Sequence, residues 1–114
     1  MIDLEKMAKE HEKLFERADF QSQLIKYEEE RKEYHEALNH LIEELADRMI
    51  VCCGIYRFAP KVAEKRLKDC YDKAIHFGIV QSVEKEVNRK WNINLKRKWS
   101  WNGKTYHHVG DDEC

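Results

Sequence analysis

From residue 2 to about residue 18, Ile2, Leu4, Met7, Ala8, His11, Leu14 and Phe15 recur at steps of three and four. That spacing lays one apolar stripe along a helix and predicts a first helix that buries it. Asp19-Phe20-Gln21-Ser22 interrupts the pattern. Asp19 or Ser22 can cap the second helix that follows, with Leu24, Tyr27, Tyr34 and Leu38 on its apolar side and Ala37 beside them. A turn is expected at Leu38 and Asn39, with Asn39 as the N-cap of a third helix over about 40–58. No Gly or Pro marks that turn, which leaves a bent continuous helix as the alternative.

The third helix contains Met49-Ile50-Val51-Cys52-Cys53-Gly54-Ile55-Tyr56, apolar on every side rather than on one stripe. A chain this small cannot wrap such a segment alone, so it is expected at the centre of a homo-oligomer interface. Pro60 suits the start of a short helix over about 61–76, ended by Phe77-Gly78, and a last helix is expected over about 79–98. Beyond Trp99, Asn102-Gly103 lies between aromatic and β-branched residues and suggests a turn or small hairpin. The expected organisation is one domain over 1–99 with a tail over 100–114.

Composition agrees with a helical fold. Charged residues are 38% of the 114, with four Gly and one Pro, the balance of helices with charged outer faces. The class expected is all-α, a bundle of four to five helices. With 21 basic and 22 acidic residues the net charge is -1, which predicts affinity for neither a nucleic acid polymer nor a membrane surface. No apolar run reaches the roughly 20 residues needed to span a bilayer, and the first residues are amphipathic rather than signal-like, so a cytoplasmic protein is expected. Cys52, Cys53, Cys70 and Cys114 form no C-x-x-C pair and read as reduced thiols.

The candidate chemistry is acidic. Glu29, Glu30 and Glu33 in the second helix, and Glu44 and Asp47 in the third, offer pairs of carboxylates three residues apart, each pair on one helix face. A turn at Leu38 and Asn39 would bring the two sets together, where like charges repel unless a cation neutralises them. Oxygen ligands without matching His or Cys favour Mg²⁺, with Mn²⁺ possible, and such ions keep positions for water and substrate phosphates. In the last helix Lys90, Asn94 and Arg97 share a face and combine a point charge, a neutral donor and a planar fork suited to phosphate oxygens. A solvated basic face has the same spacing. Trp91, Trp99 and Trp101 can stack on a base or fill a core.

On these residues the chain resembles the MazG-like nucleoside triphosphate pyrophosphohydrolases, of the all-α NTP pyrophosphatase superfamily, over about 15–99. Residues 23–33 (QLIKYEEERKE) resemble the first acidic motif, E-E-x-x-E, and residues 41–47 (LIEELAD) resemble the second, E-E-L-[AG]-D. Residues 90–99 (KWNINLKRKW) resemble the K-x-x-x-N-x-x-R-x-W segment of small phage-type relatives. The resemblance implies Glu30, Glu33, Glu44 and Asp47 as Mg²⁺ ligands, Glu29 as a further ligand or as the base for the attacking water, and Lys90, Asn94 and Arg97 as holders of the triphosphate. It also implies hydrolysis of an NTP or dNTP to monophosphate and pyrophosphate, by a dimer or a dimer of dimers. Arg31, Lys32 and Arg48 depart from the family pattern and can pair with the acids.

Two other readings compete. A non-catalytic helical oligomer would use the third helix for assembly and its charged faces for partners. A carboxylate-bridged di-iron bundle needs a Glu-x-x-His on each of two helices, and neither Glu33 nor Glu44 has a His three residues later.

Overall fold

The computed structural model describes residues 1–110, so Cys114 lies outside the described residues. Four helices and a hairpin follow one another: α1 (Leu4–Leu14), α2 (Phe20–Tyr56), α3 (Pro60–His76), α4 (Val80–Lys96), β1 (Lys98–Trp101) and β2 (Tyr106–Val109). The all-α class with a short C-terminal hairpin is therefore observed, with four helices. No helix is long and apolar enough to cross a membrane among the described residues.

The chain divides into two compact units, Met1–Ala37 and a second that starts at Leu38. In the first, Asp3 caps α1 by accepting from the Lys6 N–H at 3.1 Å. Asp19 and Ser22 close the start of α2 reciprocally. The Asp19 carboxylate accepts from Ser22 N–H at 2.7 Å, and the Ser22 hydroxyl accepts from Asp19 N–H at 3.0 Å. The expected burial of the first stripe is not found. No residue of this unit is buried, and Leu4, Met7, Leu14 and Phe15 all face solvent.

The expected turn at Leu38 and Asn39 is absent, and Asn39 is an interior helical residue. The reason is local. Good helix formers run through this stretch without Gly or Pro, so nothing makes the chain leave its hydrogen-bond ladder.

The second unit holds the core. Leu45 and Met49 of α2, Cys70 and Ala74 of α3, and Ile79 and Val83 around the start of α4 form one buried cluster. Leu38, Leu41, Ile42, Leu67, Tyr71, Val80 and Val87 pack against it. Small side chains at Ala63, Cys70 and Ala74 are buried along α3. Pro60 opens that helix at its first turn, where its missing N–H costs no hydrogen bond. Gly78, at φ 68°, turns the chain out of α3, and Ile79 N–H reaches back to the Ala74 carbonyl at 2.9 Å. The segment that is apolar all round therefore divides by face. Met49 and Cys52 are in the core, while Val51 and Tyr56 face solvent.

The hairpin pairs β1 and β2 antiparallel, with Trp99 opposite His108 and Trp101 opposite Tyr106. Its turn is set by Gly103, at φ 99°, and by the Asn102 side chain, whose oxygen accepts from Lys104 and Thr105 N–H at 2.9 and 2.8 Å.

Candidate functional site: a pocket between two helices

Residues Glu43 and Asp47, one helical turn apart on α2, face the last three turns of α4. With Arg89, Lys90, Ile93, Asn94 and Arg97 they line a pocket of about 260 Å³. Its centre is an ion pair. Lys90 Nζ donates to Asp47 Oδ1 at 2.9 Å although 43 residues separate the two in sequence. The Lys90 side chain is 21% exposed and that of Asp47 58%, so the stem of the lysine lies against protein while its head and the carboxylate meet water. An ammonium has three donors, which lets Lys90 hold Asp47 and a further oxygen at once.

Arg89 closes the other end. Its Nε and one terminal nitrogen donate to the two Glu86 oxygens at 2.7 and 2.8 Å. That bond holds the Glu86 carboxyl below its usual range and, with a weaker contribution from Glu43, the guanidinium more firmly protonated. Three cations, Arg89, Lys90 and Arg97, thus face two carboxylates in this pocket. The Lys90 ammonium, which has donors beyond the one on Asp47, and the planar guanidinium of Arg97 suit a phosphate or diphosphate group.

Of the residues expected in a site, the fold brings Asp47, Lys90, Asn94 and Arg97 into this one pocket, although the last helix ends at Lys96 and Arg97 is its extended C-cap rather than a residue of its face. Glu43 and Arg89 are additions that sequence reasoning missed. Glu43 carried a readable signal, its place four residues before Asp47 on the same face. Arg89 carried none, because its position follows from how α4 is rotated against α2.

Glu44 lies round the helix. It lines a groove of about 710 Å³ between α2 and α3, with Asp47, Arg48, Val51, Cys52, Ile55, Val62, Arg66, Asp69 and Cys70, and His40 Nε2 lies 3.9 Å from its carboxylate. Asp47 belongs to both cavities. Asp69 is held below its usual range by its bond to Lys73, at 2.8 Å, and Arg48 adds to the effect. Burial pushes the Cys70 thiol up.

Glu29, Glu30 and Glu33 are on the exposed first half of α2, where Lys26 pairs with Glu29 at 3.3 Å. Because α2 is unbroken, Glu30 and Glu33 precede Glu44 and Asp47 on one helix, without the expected turn between them. No group of three His, Cys, Asp or Glu able to hold a metal ion exists among the described residues. The departures from the family pattern also find other roles. Arg31 pairs with Glu28 at 3.1 Å, Arg48 lines the groove, and the cation on Asp47 is Lys90.

Comparison of the chain with protein-family models, with curated proteins and with solved structures found no match.

Proposed function

We propose that the protein is a nucleotide pyrophosphohydrolase of the cytoplasmic nucleotide pool, converting an NTP or dNTP to the monophosphate and pyrophosphate. The observation that carries this reading is that Asp47, from the second acidic motif, and Lys90, Asn94 and Arg97, from the basic motif of α4, line a single pocket. Two stretches distant in sequence, each suggestive of phosphate chemistry alone, meet as one charged surface. In this reading Lys90 and Arg97 hold phosphate oxygens, Asn94 donates a neutral hydrogen bond, and Asp47 fixes the Lys90 ammonium where the phosphate arrives.

Mg²⁺, or Mn²⁺, is the proposed cofactor, with Glu30, Glu33, Glu44 and Asp47 as its ligands and Glu29 as the base. The proposal includes a homo-oligomer, because the expected turn between the two acidic motifs is absent from α2. Glu30 lies as far before the midpoint of Leu38 and Asn39 as Asp47 lies after it, and Glu33 mirrors Glu44 in the same way. Two copies of α2 packed antiparallel about that midpoint would set Glu30 and Glu33 of one copy beside Asp47 and Glu44 of the other, an isologous contact. Phe20, Leu24, Tyr27 and Tyr34 leave an exposed apolar stripe on the first half of α2, roughly a third of a turn round from the acids, that a partner can cover.

A second reading, a non-catalytic helical oligomer, is favoured by the lack of a three-ligand group among the described residues. One assay separates the two. The common NTPs and dNTPs are incubated with the full chain, with and without Mg²⁺, and scored by chromatography for monophosphate and pyrophosphate. Metal-dependent pyrophosphate release that Asp47→Asn abolishes is expected. Folded protein that releases none, with or without the substitution, would leave the assembly protein as the reading.

A further inference from the structure

Beside the charged pocket lies a second cavity of about 520 Å³, lined by Trp91, Asn94, Leu95, Arg97, Trp99 and Tyr106. Asn94 and Arg97 line both, so the two are contiguous. We infer that this aromatic cleft is the base-binding subsite of the nucleotide whose phosphates enter the charged pocket, an inference that rests on the function proposed above.

The aromatic rings are not core. Trp91 is 48%, Trp99 41% and Tyr106 64% exposed, which leaves large apolar faces in water beside a cationic surface. Trp99 and Tyr106 are nonetheless held in place. Trp99 Nε1 donates to the Asn94 carbonyl at 2.9 Å, which ties the hairpin to the end of α4. Tyr106 packs against Trp101 with ring centroids 5.2 Å apart, and Trp99 meets His108 edge-on at 6.1 Å. Rings fixed in this way lose little freedom when a flat group stacks on them.

The charged pocket, at about 260 Å³, is smaller than the roughly 300–1,000 Å³ of sites that enclose a whole small ligand. It can take phosphates, and the rest of a nucleotide must continue outward. The cleft is the adjoining surface with the matching chemistry, since every nucleobase has a π-face and stacking is tolerant of base identity. The Trp99 N–H is committed to the Asn94 carbonyl and the Asn94 and Arg97 side chains are assigned to phosphate, so stacking rather than edge readout is the main contact the cleft offers a base. The subsite should therefore accept purines and pyrimidines alike.

The test is calorimetric titration of the full chain with α,β-methylene analogues of ATP, GTP, CTP and UTP, with inorganic tripolyphosphate, and with a single-stranded hexanucleotide. All four analogues should bind about tenfold or more tightly than tripolyphosphate, the size of one stacking contact. Trp91→Leu, and independently the exposed hairpin variant Tyr106→Ser, should remove that advantage and leave tripolyphosphate affinity unchanged. Analogues no tighter than tripolyphosphate, an advantage that survives both variants, or a hexanucleotide preferred over the analogues would each overturn the inference. Tripolyphosphate that fails to bind, or binds Lys90→Ala equally well, would instead bring down the phosphate reading beneath it.

Discussion

The two halves of α2 have similar amino acids and opposite fates. Residues 20–37 carry Phe20, Leu24, Tyr27 and Tyr34 at helical spacing, as residues 38–52 carry Leu38, Leu41, Leu45, Met49 and Cys52. The first set is exposed throughout, while the second seats Leu45, Met49 and Cys52 in the core. The same contrast holds for charge. Asp47 is drawn into a pocket by a lysine from another helix, whereas Glu29 and Glu28 meet only neighbours on their own helix. An apolar stripe and an acidic pair become core and site where a second element supplies the other wall. In the first half of α2 that wall is proposed to be a second copy of the chain.

The largest effect that separates the halves is on stability. Leu45→Ala should lower the unfolding free energy by about 2–5 kcal/mol in urea titrations, because it empties a fully buried position. In dilute protein Leu24→Ala should change it by less than about 0.5 kcal/mol, as an exposed substitution does. Equal losses would mean that the first half of α2 is packed in solution as firmly as the second.

Catalysis comes next. Lys90→Ala removes a charge-assisted bond of about 1.5–3 kcal/mol and should slow pyrophosphate release about 10- to 100-fold. Stability should fall by less than about 1 kcal/mol, since the partner Asp47 is largely in water. Lys13→Ala on α1 should leave turnover unchanged.

The smallest effect is on pH dependence, and it too belongs to the second unit. Glu86 is held below its usual range by Arg89, and Asp69 by Lys73. Both bonds favour the ionised acid in the fold. Their stabilisation is complete above the carboxylate pKa of the unfolded chain, about 4, and is lost as pH falls through the lowered folded values. Glu86→Gln should flatten the acid limb of a thermal melting profile measured from pH 6 to 2. At the alkaline end the Tyr71 phenol, raised by its 2.7 Å bond to Glu84, favours the protonated form in the fold. That contribution is present up to about pH 10, the usual tyrosine value, and is lost as pH rises through the raised one.

Much of the fold was legible. Pro60 and Gly78 marked the limits of α3, and Asn102-Gly103 marked the hairpin, because in each case a residue with a special backbone preference stands where the chain turns. The turn at Leu38 and Asn39 was misread for the opposite reason. It was inferred from two acidic motifs and one possible cap, with no residue there to break a helix. Part of the candidate site was also legible, since Lys90 and Asn94 share a face of α4 by spacing alone, whereas Arg97 reaches the pocket as the extended residue that ends the helix. That their face meets Asp47 was not, because contact between α2 and α4 depends on the packing of Leu45, Ile79 and Val83, which periodicity does not encode.

The central claim, that residues from both halves of α2 act together across two copies, is tested most directly by mixing two inactive variants. Glu33→Gln and Asp47→Asn are each assayed alone for Mg²⁺-dependent pyrophosphate release, then combined in equal amounts and allowed to exchange subunits. Half of the random dimers are then mixed, each with one intact site of two, and activity should return to about a quarter of the unaltered protein's. A mixture no more active than its components, beside active unaltered protein, would contradict the account.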